Sequence, residues 1–258
     1  MSKLVWKFVS KLASQPFRPQ AVWPLLALVL ASGIGCSRGS AQTESSQGTH
    51  QTQPNTAAAS PSATPQTLPA VVFLGDSLTA GRGLSEQQAL PAVIQQKVDA
   101  AGLRYQIINA GRSGDTTAGG AARLSWYFRD SVNLQILIIG LGSNDAMRGQ
   151  PVVEIEANLK KIIAAARAHK PELAIFLWQL ETFPNLGADY GRDFEAVFPR
   201  VASEEDVSLL PFPLKGVAGK PELNQDDGIH PTAAGTRVAA DNIWPVLEPE
   251  LRRRASVR

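Results

Sequence analysis

The chain predicts an α/β fold: a doubly wound parallel sheet of about five strands with helices on both faces. Three observations carry that expectation. Five short runs of almost uninterrupted apolar residues recur from residue 71 onward, the appearance of strands buried on both faces. Each gap between them holds a stretch long enough for a helix, so strand and helix alternate. One such stretch places Ile155, Leu159, Ile162, Ile163 and Ala166 on one helical stripe, at spacings dominated by three and four.

Taken in order, strands are expected at 71–74, 105–109, 136–140, 174–178 and 207–210. Helices are expected at 90–101, 119–127, 152–169, 192–205 and 233–247. Ahead of this domain, assigned to residues 70–258, residues 36–69 are rich in Ser, Thr, Gln, Ala and Pro. Such a composition cannot bury a core and reads as a disordered tether. Residues 1–35 read as a signal peptide. A basic region ends near Gln20, an apolar run interrupted by Pro24 follows, and Ser32, Gly33 and Gly35 lead directly to Cys36. The apolar run is short for a membrane span.

Of 258 residues, 44% are hydrophobic, enough for one domain with a real core. The formal charge of +2 misleads, because four basic residues and no acids lie in 1–35. The remainder carries 21 basic against 23 acidic residues, a net −2 with no nucleic-acid footprint. A single cysteine, Cys36, excludes an intramolecular disulfide and a cysteine metal cluster.

Residues 71–79, Val-Val-Phe-Leu-Gly-Asp-Ser-Leu-Thr, place a hydroxyl where a buried strand stops at Gly75. In an open α/β sheet, that carboxyl edge is where ligands bind. Helix capping by Asp76 or Ser77 is the ordinary reading of an isolated Gly-Asp-Ser. Far along the chain, Asp227-Gly228-Ile229-His230-Pro231 supplies an acid and an imidazole three residues apart, the missing parts of a nucleophile–base–orienter set. Asp226 is a rival acid that the three-residue spacing disfavours. His169, in Ala-His-Lys-Pro-Glu, reads as solvent-exposed, and His50 in the tether is given no role.

Four ordered blocks resemble the SGNH (GDSL) hydrolases, in wording nearest the bacterial thioesterase/lysophospholipase/arylesterase branch. They are Gly75-Asp76-Ser77-Leu78, Ser113-Gly114-Asp115-Thr116, Gly142-Ser143-Asn144-Asp145 and Asp227-x-x-His230, within a resemblance spanning roughly residues 70–250. Ser143 replaces a glycine usual in that branch. The Gly-x-Ser-x-Gly elbow of α/β-hydrolases is absent, since Thr79 is the second neighbour of Ser77.

The resemblance implies a flavodoxin-like architecture and a serine esterase acting on acyl esters or thioesters through an acyl-enzyme. Ser77, Asp227 and His230 are its expected catalytic residues. The backbone N–H groups of Ser77 and Gly114 and the Asn144 amide are its expected oxyanion hole. No metal or organic cofactor is expected. Asp76, Asp115 and Asp145 read as caps and loop braces. Phe183, Leu186 and Tyr190, in an apolar loop over 181–192, are expected to line an acyl-chain wall. Cys36 resembles the lipidated cysteine of bacterial lipoproteins, although Gly33 departs from the usual aliphatic residue; ordinary cleavage after Ala41 is the alternative. An exported protein results either way, with membrane contact through the lipid anchor in the first case, and the substrate is a small-molecule or lipid acyl ester. Within hydrolases the alternative is a carbohydrate O-deacetylase. From other classes, the loop after the first strand suits a flavin or nucleotide phosphate, which leaves Asp227 and His230 unused. The last alternative is a non-catalytic envelope lipoprotein.

Overall fold

A computed structural model describes residues 67–256. The expected signal peptide, Cys36 and all of the expected tether but its last three residues lie outside the described residues.

The five apolar runs form five parallel strands: β1 (Ala70–Gly75), β2 (Gln106–Gly111), β3 (Leu134–Gly140), β4 (Ala174–Trp178) and β5 (Ser208–Leu210), in sheet order β2-β1-β3-β4-β5. This is the flavodoxin-like order, and its reversal point lies at the carboxyl ends of β1 and β3. Side chains alternate between faces along a strand. Every residue of β1 is buried, so both faces of the sheet are covered. The edge strand β2 is only partly buried by contrast.

Among the described residues, seven α-helices connect and cover the strands. They are α1 (Ser77–Ala80), α2 (Leu90–Ala100), α3 (Thr117–Arg123), α4 (Ser143–Met147), α5 (Val152–His169), α6 (Ala188–Glu204) and α7 (Ala233–Ser256). Helix α2 packs against α7, while α3 and α6 flank α5. The expected stripe of α5 is buried residue for residue: Ile155, Leu159, Ile162, Ile163 and Ala166 meet the core.

Several boundaries differ from the sequence expectation. Helix α3 begins at Thr117 rather than 119, because the Thr116 side chain caps it by accepting from the Gly119 N–H. Residues 124–127 continue it as a 3₁₀ turn. Helix α6 begins at Ala188, four residues early, so the expected loop over 181–192 ends sooner and Tyr190 is helical. Helix α7 runs past Leu247 to Ser256, through Pro245 and Pro249. Leu251 continues its buried stripe, and its carbonyl accepts from the Tyr105 hydroxyl at 3.0 Å. Helices α1 and α4 were not anticipated; each is one short turn at a strand's end.

Candidate active site

The ends of β1, β2 and β3 stand level. Gly75 is in register with Gly111 on one side and Gly140 on the other. Each strand then turns sharply, and the three turns carry Ser77, Gly114 and Asn144. After β1, Asp76 caps α1: its Oδ1 accepts from the Leu78 N–H at 3.0 Å, and Gly81 closes the helix in the left-handed region. This fixes Ser77, 8% exposed, at the helix N-terminus. After β2, Gly114 takes φ +81, which favours glycine over any side chain. After β3, Gly142 at φ +135 leads into α4, and Asn144 lies buried in its first turn.

His230 arrives from the other end of the chain. Residues 224–231 form a loop before α7, closed by the bridge between Asn224 and Pro231 and by Gln225 N–H donating to the His230 carbonyl at 2.7 Å. Gln225 Nε2 also donates to the Arg82 and Pro231 carbonyls, tying the loop to the turn after α1. The result places His230 Nε2 2.8 Å from Ser77 Oγ and His230 Nδ1 2.6 Å from Asp227 Oδ2. His230 is buried, at 6% exposure, whereas the Asp227 side chain is 40% exposed. Partial burial by itself would raise the Asp227 pKa. The backbone N–H groups of His230 and Ile229, both on Oδ1, together with the His230 ring outweigh it and hold the carboxyl at about 2. Asp227 therefore stays ionised beside the imidazole through the neutral range. Asp226 makes no such contact, and His169 stacks on Phe128 at the end of α5.

Chemically, the arrangement offers a hydroxyl facing a ring nitrogen, with a carboxylate on the opposite nitrogen to fix the tautomer. Among the described residues, no acceptor is found for the Ser77 or Gly114 N–H, and the Asn144 side-chain amide donates to Asp76, the residue before Ser77. Asp76, Asp115 and Asp145 are braced locally. Asp145 accepts from the Thr117 N–H and hydroxyl at 2.9 and 2.6 Å, joining α4 to α3, and burial pushes its pKa up. Asp115 pairs with the buried Arg123 at 2.6 Å, and Arg123 also donates to the Gly75 carbonyl.

Sequence reasoning missed Arg123, Arg148 and Gln225. Arg148 donates to the Gly114 carbonyl at 2.8 Å and holds that turn from α4's side. No local pattern marks these three, because each acts on a backbone carbonyl distant in sequence. Of the expected wall residues, Leu186 and Tyr190 pack against the core. Tyr190 stacks on Phe194 and donates to the Gln150 carbonyl at 2.9 Å. Phe183 is half-buried ahead of a 3₁₀ turn over Pro184–Leu186. Exposed Met147, three residues after Asn144, and Ile229, beside His230, add apolar surface near the same edge.

A flavodoxin-like sheet with a serine, a histidine and an acid gathered at its switch point defines an acyl hydrolase of the SGNH type. The GDSL-like Lipase/Acylhydrolase family model matches residues 73–238, and the chain belongs to that family. It is 38% identical over 181 residues to the esterase TesA of Pseudomonas aeruginosa, covering 70% of this chain and 89% of that protein. It is 36% identical over 179 residues to thioesterase 1/protease 1/lysophospholipase L1 of Escherichia coli K12, covering 69% and 83% respectively. Among solved structures it resembles the psychrotrophic esterase EstA from Pseudoalteromonas sp. in a form inhibited by monoethylphosphonate. The TM-score is 0.66 at 28% identity, over 71% of this chain and 98% of that one. The protein is a carboxylic ester hydrolase whose substrates are small-molecule acyl esters.

Proposed function

We propose that this protein is an exported serine esterase of broad acyl-ester and thioester type that works through an acyl-enzyme on Ser77. The observation that carries the reading is the pair of contacts about the His230 ring, 2.8 Å to Ser77 and 2.6 Å to Asp227. Ser77 Oγ attacks the carbonyl carbon as His230 Nε2 takes its proton, and ionised Asp227 stabilises the imidazolium. The carbonyl oxygen becomes an oxyanion that accepts from the Ser77 and Gly114 N–H groups and the Asn144 amide. Collapse expels the alcohol or thiol, protonated by His230, and leaves the acyl group on Ser77. Water, deprotonated by His230, then attacks the acyl carbon, releasing the acid and restoring the serine hydroxyl. The esterase, thioesterase and lysophospholipase names of the relatives support a broad leaving-group range. Exposed Met147 and Ile229, close in sequence to Asn144 and His230, support acyl groups longer than acetyl.

The test is hydrolysis of p-nitrophenyl acetate, butyrate, octanoate and palmitate, and of the matching acyl-CoA thioesters. Turnover is expected to peak beyond acetate. Activity confined to acetate would favour a deacetylase instead. For the N-terminal region we propose lipidation at Cys36, on the sequence pattern alone. Mass spectrometry of the native N-terminus is expected to find diacylglycerol-modified Cys36, and an unmodified terminus beyond it would contradict the anchor.

A further inference from the structure

We propose that Asp76 is a positioning residue for the oxyanion hole: its carboxylate holds the amide nitrogen of Asn144, rather than the amide oxygen, toward the reacting carbonyl. The inference rests on the oxyanion role given to Asn144 above. Asn144 Nδ2 donates to Asp76 Oδ2 at 3.1 Å, and both side chains are buried, Asp76 at 2% exposure and Asn144 at 7%. An asparagine amide carries two hydrogens on nitrogen and none on oxygen. Ionised Asp76 can only accept, so one amide hydrogen must point at it. The second hydrogen then remains for the oxyanion. Turned over, the same amide would place its oxygen where a donor is needed.

Helix capping does not account for this side chain. The cap of α1 uses Oδ1, through Leu78, and asparagine caps a helix as well as aspartate does. The charge also comes at a cost. Burial pushes the Asp76 pKa up to about 7, opposed by the Leu78 N–H and the Asn144 amide and reinforced by the charge of Asp115. Asp115 is itself engaged by Arg123, whose guanidinium spans to the Gly75 carbonyl. A costly buried carboxylate where a neutral cap would serve is explained by the second oxygen and what it faces. What only the ionised acid supplies there is a group that accepts and never donates.

Asp76→Asn separates the two roles, because it keeps the cap and the shape. The new amide donates to Asn144, which turns its oxygen toward Asp76→Asn and brings an acceptor to the hole. In the purified full chain acting on a p-nitrophenyl ester, Asp76→Asn is expected to lower kcat by about 10²-fold, in the range of a lost oxyanion donor, with KM changed less than about twofold. Its melting temperature is expected not to fall. Combined with Asn144→Ala, it is expected to cost no more than Asn144→Ala alone. Wild-type kcat in Asp76→Asn would reduce Asp76 to a cap and overturn the proposal. Losses that multiply in the double variant would also overturn it, since Asp76 would then act by another route. An Asn144→Ala enzyme with intact kcat is a separate result. It would remove the oxyanion role itself, and this inference with it.

Discussion

The turn that follows β1 and the loop that carries His230 come within hydrogen-bond distance, yet the first adds close steric packing to its polar contacts, whereas polar staples hold the second. A Cβ added at Gly75 would lie 1.9 Å from Thr79 Oγ1 and 3.1 Å from the Gly140 carbonyl, and one at Gly111 would lie 2.2 Å from the Ala80 nitrogen. Neighbouring atoms there approach too closely for any side chain, which constrains the turn that carries Ser77. Residues 224–231 instead hang on the hydrogen bonds of Asn224, Gln225 and Asp227. Such contacts are lost one at a time. The nucleophile side should therefore fail abruptly and the base side by degrees.

The two acids flanking the site show the same difference. Both start from 3.8, yet burial drives Asp76 up to about 7 while backbone N–H groups draw the half-exposed Asp227 down to about 2. One is an acid that the fold strains to ionise; the other is an acid that the loop is built to keep ionised.

The largest effect is expected from Gly75→Ala. Thr79 is buried and β-branched and cannot swing aside, so overpacking should cost about 3 kcal/mol, read as a lowered urea midpoint with activity lost in parallel. On the other side, Gln225→Ala removes two staples. It should cut kcat about tenfold, equivalent to about 1.4 kcal/mol of positioning, while the urea midpoint barely moves. A Gln225→Ala protein as unstable as Gly75→Ala would erase the distinction.

Stability against pH is expected to change as well, in opposite directions for the two acids. The raised pKa of Asp76 contributes stability that is present below 3.8 and lost as pH rises through about 7. Relative to wild type, Asp76→Asn should therefore gain melting temperature as pH climbs across that window. The depressed pKa of Asp227 contributes stability that is present above 3.8 and lost as pH falls through about 2. Asp227→Asn should melt below wild type above pH 4 and converge with it on acidification. Thermal unfolding across a buffer series reads both, and parallel trends would contradict the contrast.

The sheet was legible because buried parallel strands write themselves as apolar runs; β4 and α5 fall at the expected residues. The strand ends were legible through Gly75 and Gly140. The start of α6 was not, because its apolar stripe, Phe194, Val197, Phe198 and Val201, begins only after an exposed first turn. Ser77 and His230 lie 153 positions apart, and ordered motifs rather than periodicity brought them together on the page. What escaped were pairings with no local signature: Asp76 with Asn144, 68 positions apart, and Gln225 with the Arg82 carbonyl, 143 apart. A polar side chain that satisfies a distant backbone group leaves no trace in its neighbours.

The central claim is that the sheet edge presents Ser77 as the nucleophile and the loop presents His230 as its base. Intact-mass spectrometry after exposure to a p-nitrophenyl alkylphosphonate tests it most directly. The account predicts a single adduct, mapped to Ser77, absent in Ser77→Ala and formed far more slowly in His230→Ala. An adduct on another residue, or one that forms at the wild-type rate without His230, would contradict it.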